Sequence, residues 1–144
     1  MNKEKPLDHI GWDLWRASHA WKKLFTEGMV KRGHGWFAEA RGNLIHLIGP
    51  AGARQSDIVQ KSQLTKQAVQ QFIDELEEDG IVSRHPDPSD ARARMIKFTA
   101  KGLRALEDAN AVKRELETSY ARLLGKSELG RLKATLDKII KAGH

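Results

Sequence analysis

A row of polar side chains on one predicted helix is the part of this 144-residue chain best suited to specific recognition chemistry. The row comprises Thr65, Lys66, Gln67, Gln70 and Gln71. Glutamine amides can pair with adenine edges in the major groove of DNA, and hydroxyl and ammonium groups can bind phosphates. Most polar residues on helices are only solvated, and spacing alone leaves both interpretations open. The neighbouring sequence has to decide between them.

The helix that carries this row is predicted to begin at Thr65 and to end at Asp79-Gly80. Thr65 is a favoured N-cap, and glycine is the residue expected just past a helix C-terminus. Apolar residues between them recur at spacings of three and four, which predicts one buried face. That face consists of Val69, Phe72, Ile73 and Leu76. The first half of the helix therefore presents its polar row outward, whereas the acidic second half is expected to point away from DNA.

A hairpin with arginines near its tip is predicted after this helix. Residues 81–85 and 94–98 have the composition of strands, and residues 86–90, Pro-Asp-Pro-Ser-Asp, are predicted to form the turn. Arg92 and Arg94 extend the inward face of the second strand to where no core can cover them. Guanidinium groups in that position suit phosphates and a narrow minor groove. Another short helix is predicted between Gln55 and Thr65. The predicted order is therefore helix, turn, helix and wing.

The residues from Leu76 to Gly102 resemble the winged helix-turn-helix of the MarR family of bacterial transcriptional regulators. Three runs carry the resemblance: Leu-Glu-Glu-Asp-Gly-Ile-Val at 76–82 followed by Arg84, Asp-Pro-Ser-Asp-Ala-Arg-Ala-Arg at 87–94, and Thr-Ala-Lys-Gly at 99–102. The resemblance implies a minor-groove position for Arg92, held by a charge-assisted bond from Asp90. It also implies a DNA-binding regulator whose effectors are often small aromatic or phenolic molecules.

The chain departs from the family pattern at four positions. Val59, Ser62 and Gln63 stand where the family usually has Ala, Leu and Gly, so the turn before the recognition helix is expected to be looser. Gln71 stands where an arginine is common, which replaces one charged contact by a neutral one.

We predict DNA contacts on both elements of the motif. Gln67 and Gln70 are expected to read bases, and Thr65, Lys66 and Gln71 to lie nearer the backbone. On the wing, the predicted contacts are Arg84, His85, Asp90, Arg92 and Arg94. For Arg92 and Arg94 the simpler interpretation is solubility, and the resemblance favours DNA for Arg92. For the row on the helix, the adjoining basic wing favours contact with bases and phosphates.

Composition narrows the possible functions. The chain has 25 Lys and Arg against 19 Asp and Glu, a formal net charge of +6, which favours an anionic partner. Between residues 80 and 104, six basic side chains stand against two acidic ones, so the excess concentrates at the wing. There is no cysteine, the six histidines have no metal-ligand spacing, and no nucleophile–base pair or phosphate loop occurs. We therefore expect no enzyme activity, cofactor or metal, and, without a spanning or signal segment, a cytoplasmic protein.

The predicted fold is mainly α, a single domain over 1–144. A winged helix-turn-helix lobe at 38–102, with a two-stranded β-wing, is flanked by dimerisation helices at about 1–35 and 105–144. Helices are predicted over 7–30, 38–48, 99–124 and from Ser127 onward. The terminal helices carry more apolar face than the lobe can cover, which favours a twofold homodimer on a pseudo-palindromic operator with half-sites ~10 bp apart. A monomeric helical core, and a non-specific architectural or protein-interaction module, are the alternatives.

An aromatic group suggests a binding pocket for a small ligand where the first two helices meet the lobe. Its members are Trp12, Trp15, Trp21, Trp36 and Phe37. Residue by residue, packing in the core or the dimer interface is the simpler interpretation, because aromatic stripes usually are core. As a group they fit release of a repressor from its operator by an aromatic ligand.

Overall fold

The computed structural model describes residues 4–143; Met1, Asn2, Lys3 and His144, at the ends of the predicted dimerisation region, lie outside the described residues. Residues 4–143 form six α-helices and three strands, with two short 3-10 helices, Gly35–Ala38 and Ala40–Leu44, after the first α-helix. The elements are α1 (Ile10–Lys31), α2 (Ile45–Ile48), β1 (Ala53–Arg54), α3 (Gln55–Ser62), α4 (Lys66–Glu78), β2 (Val82–Asp87), β3 (Asp90–Phe98), α5 (Ala100–Leu124) and α6 (Lys126–Ala142). The mainly helical winged fold is confirmed.

The lobe formed by residues 38–102 has its own hydrophobic core. The buried face of α4 packs against the second 3-10 helix, α3 and β2, and the core of the lobe includes Ile48, Ile58, Ile73, Leu76 and Ile96. Each of these five side chains is at most 2% exposed. The predicted inward face of α4 is thus correct, and its packing fixes which way the polar row faces.

The sheet has three strands, one more than predicted. β3 lies in the centre, with β1 and β2 antiparallel on either side, and Ala53 and Arg84 both register with Ile96. The hairpin strands also reach further than expected, because Pro86 and Asp87 belong to β2. Proline is tolerated there because β2 is an edge strand and needs no ladder donor on its free side. The predicted turn of residues 86–90 therefore shrinks to the two residues between the strands.

The Thr-Ala-Lys-Gly run joins the end of α4 to the start of α5. Thr99 caps α5 by accepting from the Gly102 N–H at 3.0 Å, and its hydroxyl also donates to the Gly80 carbonyl. The Lys101 ammonium donates to the Asp79 carbonyl at 2.8 Å, at the C-terminus of α4. A Cβ at position 102 would lie 2.1 Å from the Ile81 carbonyl oxygen, so only glycine permits this approach. The run therefore fixes the wing and recognition helix to the long helix α5.

The segments before the lobe differ from prediction in two places. α1 begins at Ile10, not at Leu7, after an extended His9. The helix predicted over 38–48 is interrupted at its start, where Glu39 adopts an extended backbone with ψ 163°, and only Ile45–Ile48 is α-helical, after the 3-10 helix Ala40–Leu44. Gly42 then packs against the backbone of Phe37, where a Cβ would lie 2.6 Å from its carbonyl oxygen. In the described part of the chain, no helix is long and apolar enough to cross a membrane.

Candidate DNA-binding surface

The recognition helix α4 presents the polar row as predicted. Thr65 accepts a hydrogen bond from the Ala68 N–H at 3.1 Å, which satisfies one free donor of the first turn. Because Val69, Ile73 and Leu76 are buried, the opposite side of the helix faces solvent. The exposed residues there are Thr65, Lys66, Gln67, Gln70 and Gln71.

The wing and the recognition helix enclose one open groove of about 500 Å³. Lys66 and Gln70 line it from α4, and Arg92 and Arg94 line it from β3. The fold therefore brings the two residues on the recognition helix next to the two on the wing, although the pairs lie at least 22 positions apart in the sequence. A ligand in this groove would meet three positive charges, the single carboxylate of Asp90 and a glutamine amide. The positive excess suits a nucleic-acid backbone, and the amide suits its bases.

Asp90 does not hold the guanidinium of Arg92, which corrects the expected charge-assisted bond. Its Oδ1 accepts a hydrogen bond from the backbone N–H of Arg92 at 2.9 Å, so it shapes the start of β3. The Arg92 side chain stays exposed, with no ion pair among the described residues. Asp90 thus orders the turn, and Arg92 keeps its charge available to a ligand.

Arg84 is paired with the recognition helix in this structure, and its predicted contact with DNA stays a prediction. Its guanidinium lies 2.6 Å from Asp74 and 3.1 Å from Glu77, and its side chain is only 18% exposed. The acidic second half of α4 therefore binds the first wing strand, which explains why it carries carboxylates. His85 is exposed on the same strand, where its Nε2 lies 2.7 Å from the Ser83 hydroxyl.

A buried carboxylate fixes the tip of the wing. Asp87 is 7% exposed, accepts from the Ser89 N–H at 2.9 Å and from its hydroxyl at 2.8 Å, and lies 2.6 Å from the Arg54 Nε. The hydrogen bonds from Ser89, and then the charge of Arg54, lower the pKa of the Asp87 carboxyl. This contact ties β1 to the hairpin and so sets the position of the tip.

The turn between α3 and α4 closes without the glycine usual at this point. Gln63 adopts a left-handed backbone with φ +58°, the only non-glycine residue of the described chain to do so. The Ser62 hydroxyl donates to the Val59 carbonyl at 3.0 Å and accepts from the Leu64 N–H at 3.2 Å. A looser turn was expected, whereas the serine closes it locally and the strain falls on Gln63.

The structure divides the aromatic group, and only part of it lines a cavity. Trp12 and Trp15 stack with ring centroids 5.0 Å apart on α1, and each is 51% exposed. Trp36 packs on Phe37 at 4.2 Å. A cavity of about 590 Å³ between α1, α5 and the lobe is lined by Phe37 and Trp21 but not by Trp12, Trp15 or Trp36. Trp12, Trp15 and Trp36 therefore lie outside this cavity, and their place in a ligand site stays a prediction.

The sequence interpretation missed residues that also belong to this cavity and to the groove. Phe25 stacks on Trp21 at 5.1 Å and has Lys113 above its ring at 5.9 Å, and all three line the cavity. Gln55 lines the groove beside Gln70. No motif marks these residues, because each gains its role from an element distant in sequence. Among the described residues, no group of His, Asp and Glu could hold a metal ion.

A model of the MarR family matches residues 41–93, which extend from the second 3-10 helix through the recognition helix into the wing. Over this segment the chain is similar to the MarR family. The resemblance read from the wing motifs is therefore confirmed, and the matched segment includes all of the groove residues except Arg94. Among curated protein sequences, none matches the chain significantly.

Solved MarR-type structures match the chain over 90% or more of its length. A mutant of MarR from E. coli has a TM-score of 0.75 at 19% identity, covering 94% of this chain and 99% of that chain. The same mutant complexed with operator DNA has a TM-score of 0.70 at 20% identity, covering 90% and 92%. A MepR mutant from S. aureus bound to an oligodeoxyribonucleotide has a TM-score of 0.65 at 20% identity, covering 96% and 100%. At this identity the likeness establishes the fold.

Proposed function

We propose that the protein is a sequence-specific regulator of transcription that binds double-stranded DNA as a homodimer. The observation that carries this proposal is the groove in which Lys66 and Gln70 of the recognition helix face Arg92 and Arg94 of the wing. Two proteins of the same fold, named above, were solved with DNA. Under this proposal the protein binds DNA and catalyses no reaction. Its location would be the cytoplasm, where a bacterial regulator meets its operator.

The homodimer is supported by apolar side chains that the single chain leaves uncovered on its terminal helices. They include Ile10 on α1, Leu123 on α5, and Leu132, Ile139 and Ile140 on α6, each at least 43% exposed. A second copy would bury this surface in an isologous interface. Its twofold axis would present two recognition helices and two wings, which fits a pseudo-palindromic operator with half-sites ~10 bp apart.

Release by a small ligand is supported by the cavity between α1, α5 and the lobe. Trp21, Phe25 and Phe37 offer aromatic faces, and Lys22 and Lys113 offer positive charge at the same cavity. A small aromatic acid or phenol bound there would contact both the terminal helices and the lobe, so it could change the spacing of the two recognition helices. The ligand needs to prefer the non-binding spacing by only a few kcal/mol. Repression by occluding a promoter is the simplest outcome.

Trp21 provides a direct readout of this ligand. Titration with a panel of aromatic acids and phenols should perturb tryptophan fluorescence and release operator DNA. In a Lys113→Ala variant, acids should bind more weakly relative to phenols. Unchanged fluorescence and unchanged operator binding across the panel would remove the support for a ligand in this cavity.

The first experiment is selection of binding sites from a random duplex library at physiological salt. Enrichment of an inverted repeat is the expected result, because two recognition helices related by a twofold axis read the same bases on opposite strands. Salt-dependent binding without enrichment would favour the alternative, a non-specific architectural module, and would leave the glutamines as ordinary solvated side chains.

Arg92 tests the wing separately from the helix. Arg92→Ala should weaken binding to selected and unrelated duplexes alike, and should reduce the slope of log K against log salt by about 1 per subunit. Arg131→Ala removes the same charge from α6, away from the groove, and should leave the slope in place. An unchanged slope in Arg92→Ala would contradict a phosphate or minor-groove contact at this position.

A further inference from the structure

We propose that Gln55 is a specificity-determining positioning residue: together with Asp74 it fixes the side-chain amide of Gln70 so that Gln70 selects adenine. The inference rests on the proposed function, because it assumes that α4 lies in the major groove. Gln55 is the first residue of α3 and lines the same groove as Gln70. It therefore acts from the first helix of the motif on a base-reading residue of the second.

The hydrogen bonds around Gln70 settle which end of its amide points where. Gln70 Nε2 donates to Asp74 Oδ1 at 3.2 Å, and Gln55 Nε2 donates to Gln70 Oε1 at 2.5 Å. A carboxylate only accepts, so the nitrogen of Gln70 must face Asp74 and its oxygen must face Gln55. Arg84 holds the same Asp74 oxygen at 2.6 Å, which keeps the carboxylate in place.

These two hydrogen bonds use only part of the hydrogen-bonding capacity of the Gln70 amide. A glutamine amide has two N–H donors and two acceptor positions on its oxygen. One of each is used, so one donor and one acceptor remain for a base. Adenine offers the complementary pair in the major groove, the N7 acceptor and the N6 amino donor, whereas guanine offers two acceptors at N7 and O6. A fixed amide therefore rejects guanine, while a freely rotating one adapts to it more easily.

The neighbouring glutamines lack this double restraint. Gln71 is held at one atom, by donation from its Nε2 to Glu75 Oε1 at 3.3 Å. The Gln67 side chain makes no hydrogen bond to any residue in the described part of the chain. Gln70 should therefore give the strictest base preference of the three, and Gln67 the most tolerant.

The isosteric substitution Gln55→Glu is the sharpest test. The new carboxylate only accepts, so it would draw the second Nε2 donor of Gln70 and leave the amide with acceptors alone. At one base pair per half-site, the preference should move from adenine toward cytosine, whose N4 amino group donates. We expect the ratio of adenine to cytosine affinity at that pair to fall about tenfold. The readout is binding to selected operator duplexes that differ at single base pairs.

Three further variants separate positioning from charge and folding. Ser56→Asp adds a negative charge next to Gln55 and should lower the affinity for all operator duplexes by the same factor. Gln55→Ala should relax the adenine-over-guanine preference without introducing charge. In a Gln70→Ala background, Gln55→Glu should no longer alter any base preference, because its effect passes through Gln70. Thermal unfolding of each variant checks that the lobe remains folded.

The outcomes separate this inference from the proposed function. One outcome is that the wild-type protein selects an operator while Gln55→Glu lowers the affinity for all operator duplexes by the same factor, as Ser56→Asp does. In that case the positioning role of Gln55 is wrong, and the proposed function as a regulator is unaffected. A preference change that persists in Gln70→Ala also overturns it. If the wild-type protein selects no sequence, the proposed function and the inference fail together.

Discussion

The lobe and the terminal helices use the same apolar periodicity but reach opposite degrees of burial. In the lobe, α4 packs Val69, Ile73 and Leu76 into the core at 0% exposure. The last helix, α6, has no buried residue although its apolar side chains keep the same spacing. The lobe therefore buries its apolar stripe within one chain, whereas α6 leaves its stripe exposed, as the proposed homodimer interface would require. Under the proposed function, the core holds the recognition helix in place and the uncovered helices form the dimer interface.

The largest expected effect is in the lobe core. Ile73→Ala removes a fully buried side chain and should lower the free energy of unfolding by about 2–5 kcal/mol, measured by chemical denaturation. Gln67→Ala, on the exposed side of the same helix, is the matched control and should stay within about 0.5 kcal/mol. A similarly small loss for Ile73→Ala would contradict the picture of a tightly packed lobe.

The next effect concerns the terminal helices. Ile140 is 59% exposed, and Ile140→Lys should shift the protein toward monomers by roughly thirtyfold in dissociation constant, as loss of an interface hot spot does. Sedimentation velocity over a dilution series measures it. Ala134→Lys adds the same charge on the opposite face of α6 and should leave the assembly intact. Equal behaviour of the two variants would mean that the apolar stripe is not the interface.

The same two regions show how far the sequence predicts the structure. Thr65, Gly80 and Thr99 mark helix ends through local hydrogen bonds and backbone conformation, so they are readable from sequence. The ion-pair partners of Arg84 and Asp87 cannot be read from the sequence. Asp74 and Arg54 lie on other elements and come close to them only in the folded chain. Trp12 and Trp36 are grouped by residue type because both are aromatic, but they lie in different parts of the structure: Trp12 stacks on Trp15 and Trp36 packs on Phe37. Residue type alone does not give the distance between two side chains. Local signals thus predict the elements, and long-range pairs decide which side chains remain free at the groove.

A smaller effect is expected where the lobe is strained. Gln63 has φ +58°, a conformation that costs a residue with a Cβ about 1 kcal/mol and costs glycine little. Gln63→Gly should therefore be more stable than Gln63→Ala by about 1 kcal/mol in chemical denaturation. The Ala variant is the control for loss of the glutamine side chain. Equal stability of the two would show that the turn relaxes without the left-handed conformation.

The smallest effect is local to the wing tip and depends on pH. The pKa of Asp87 lies below its ordinary value of 3.8, so its stabilising contribution is complete above that value and is lost as the pH falls through the lowered pKa. In acid the Ser89 amide should therefore lose its partner while the rest of the lobe persists. NMR of the Ser89 amide against pH measures this opening. Asp87→Asn removes the titrating group, so a Ser89 transition that survives in this variant would assign the acid sensitivity to another residue.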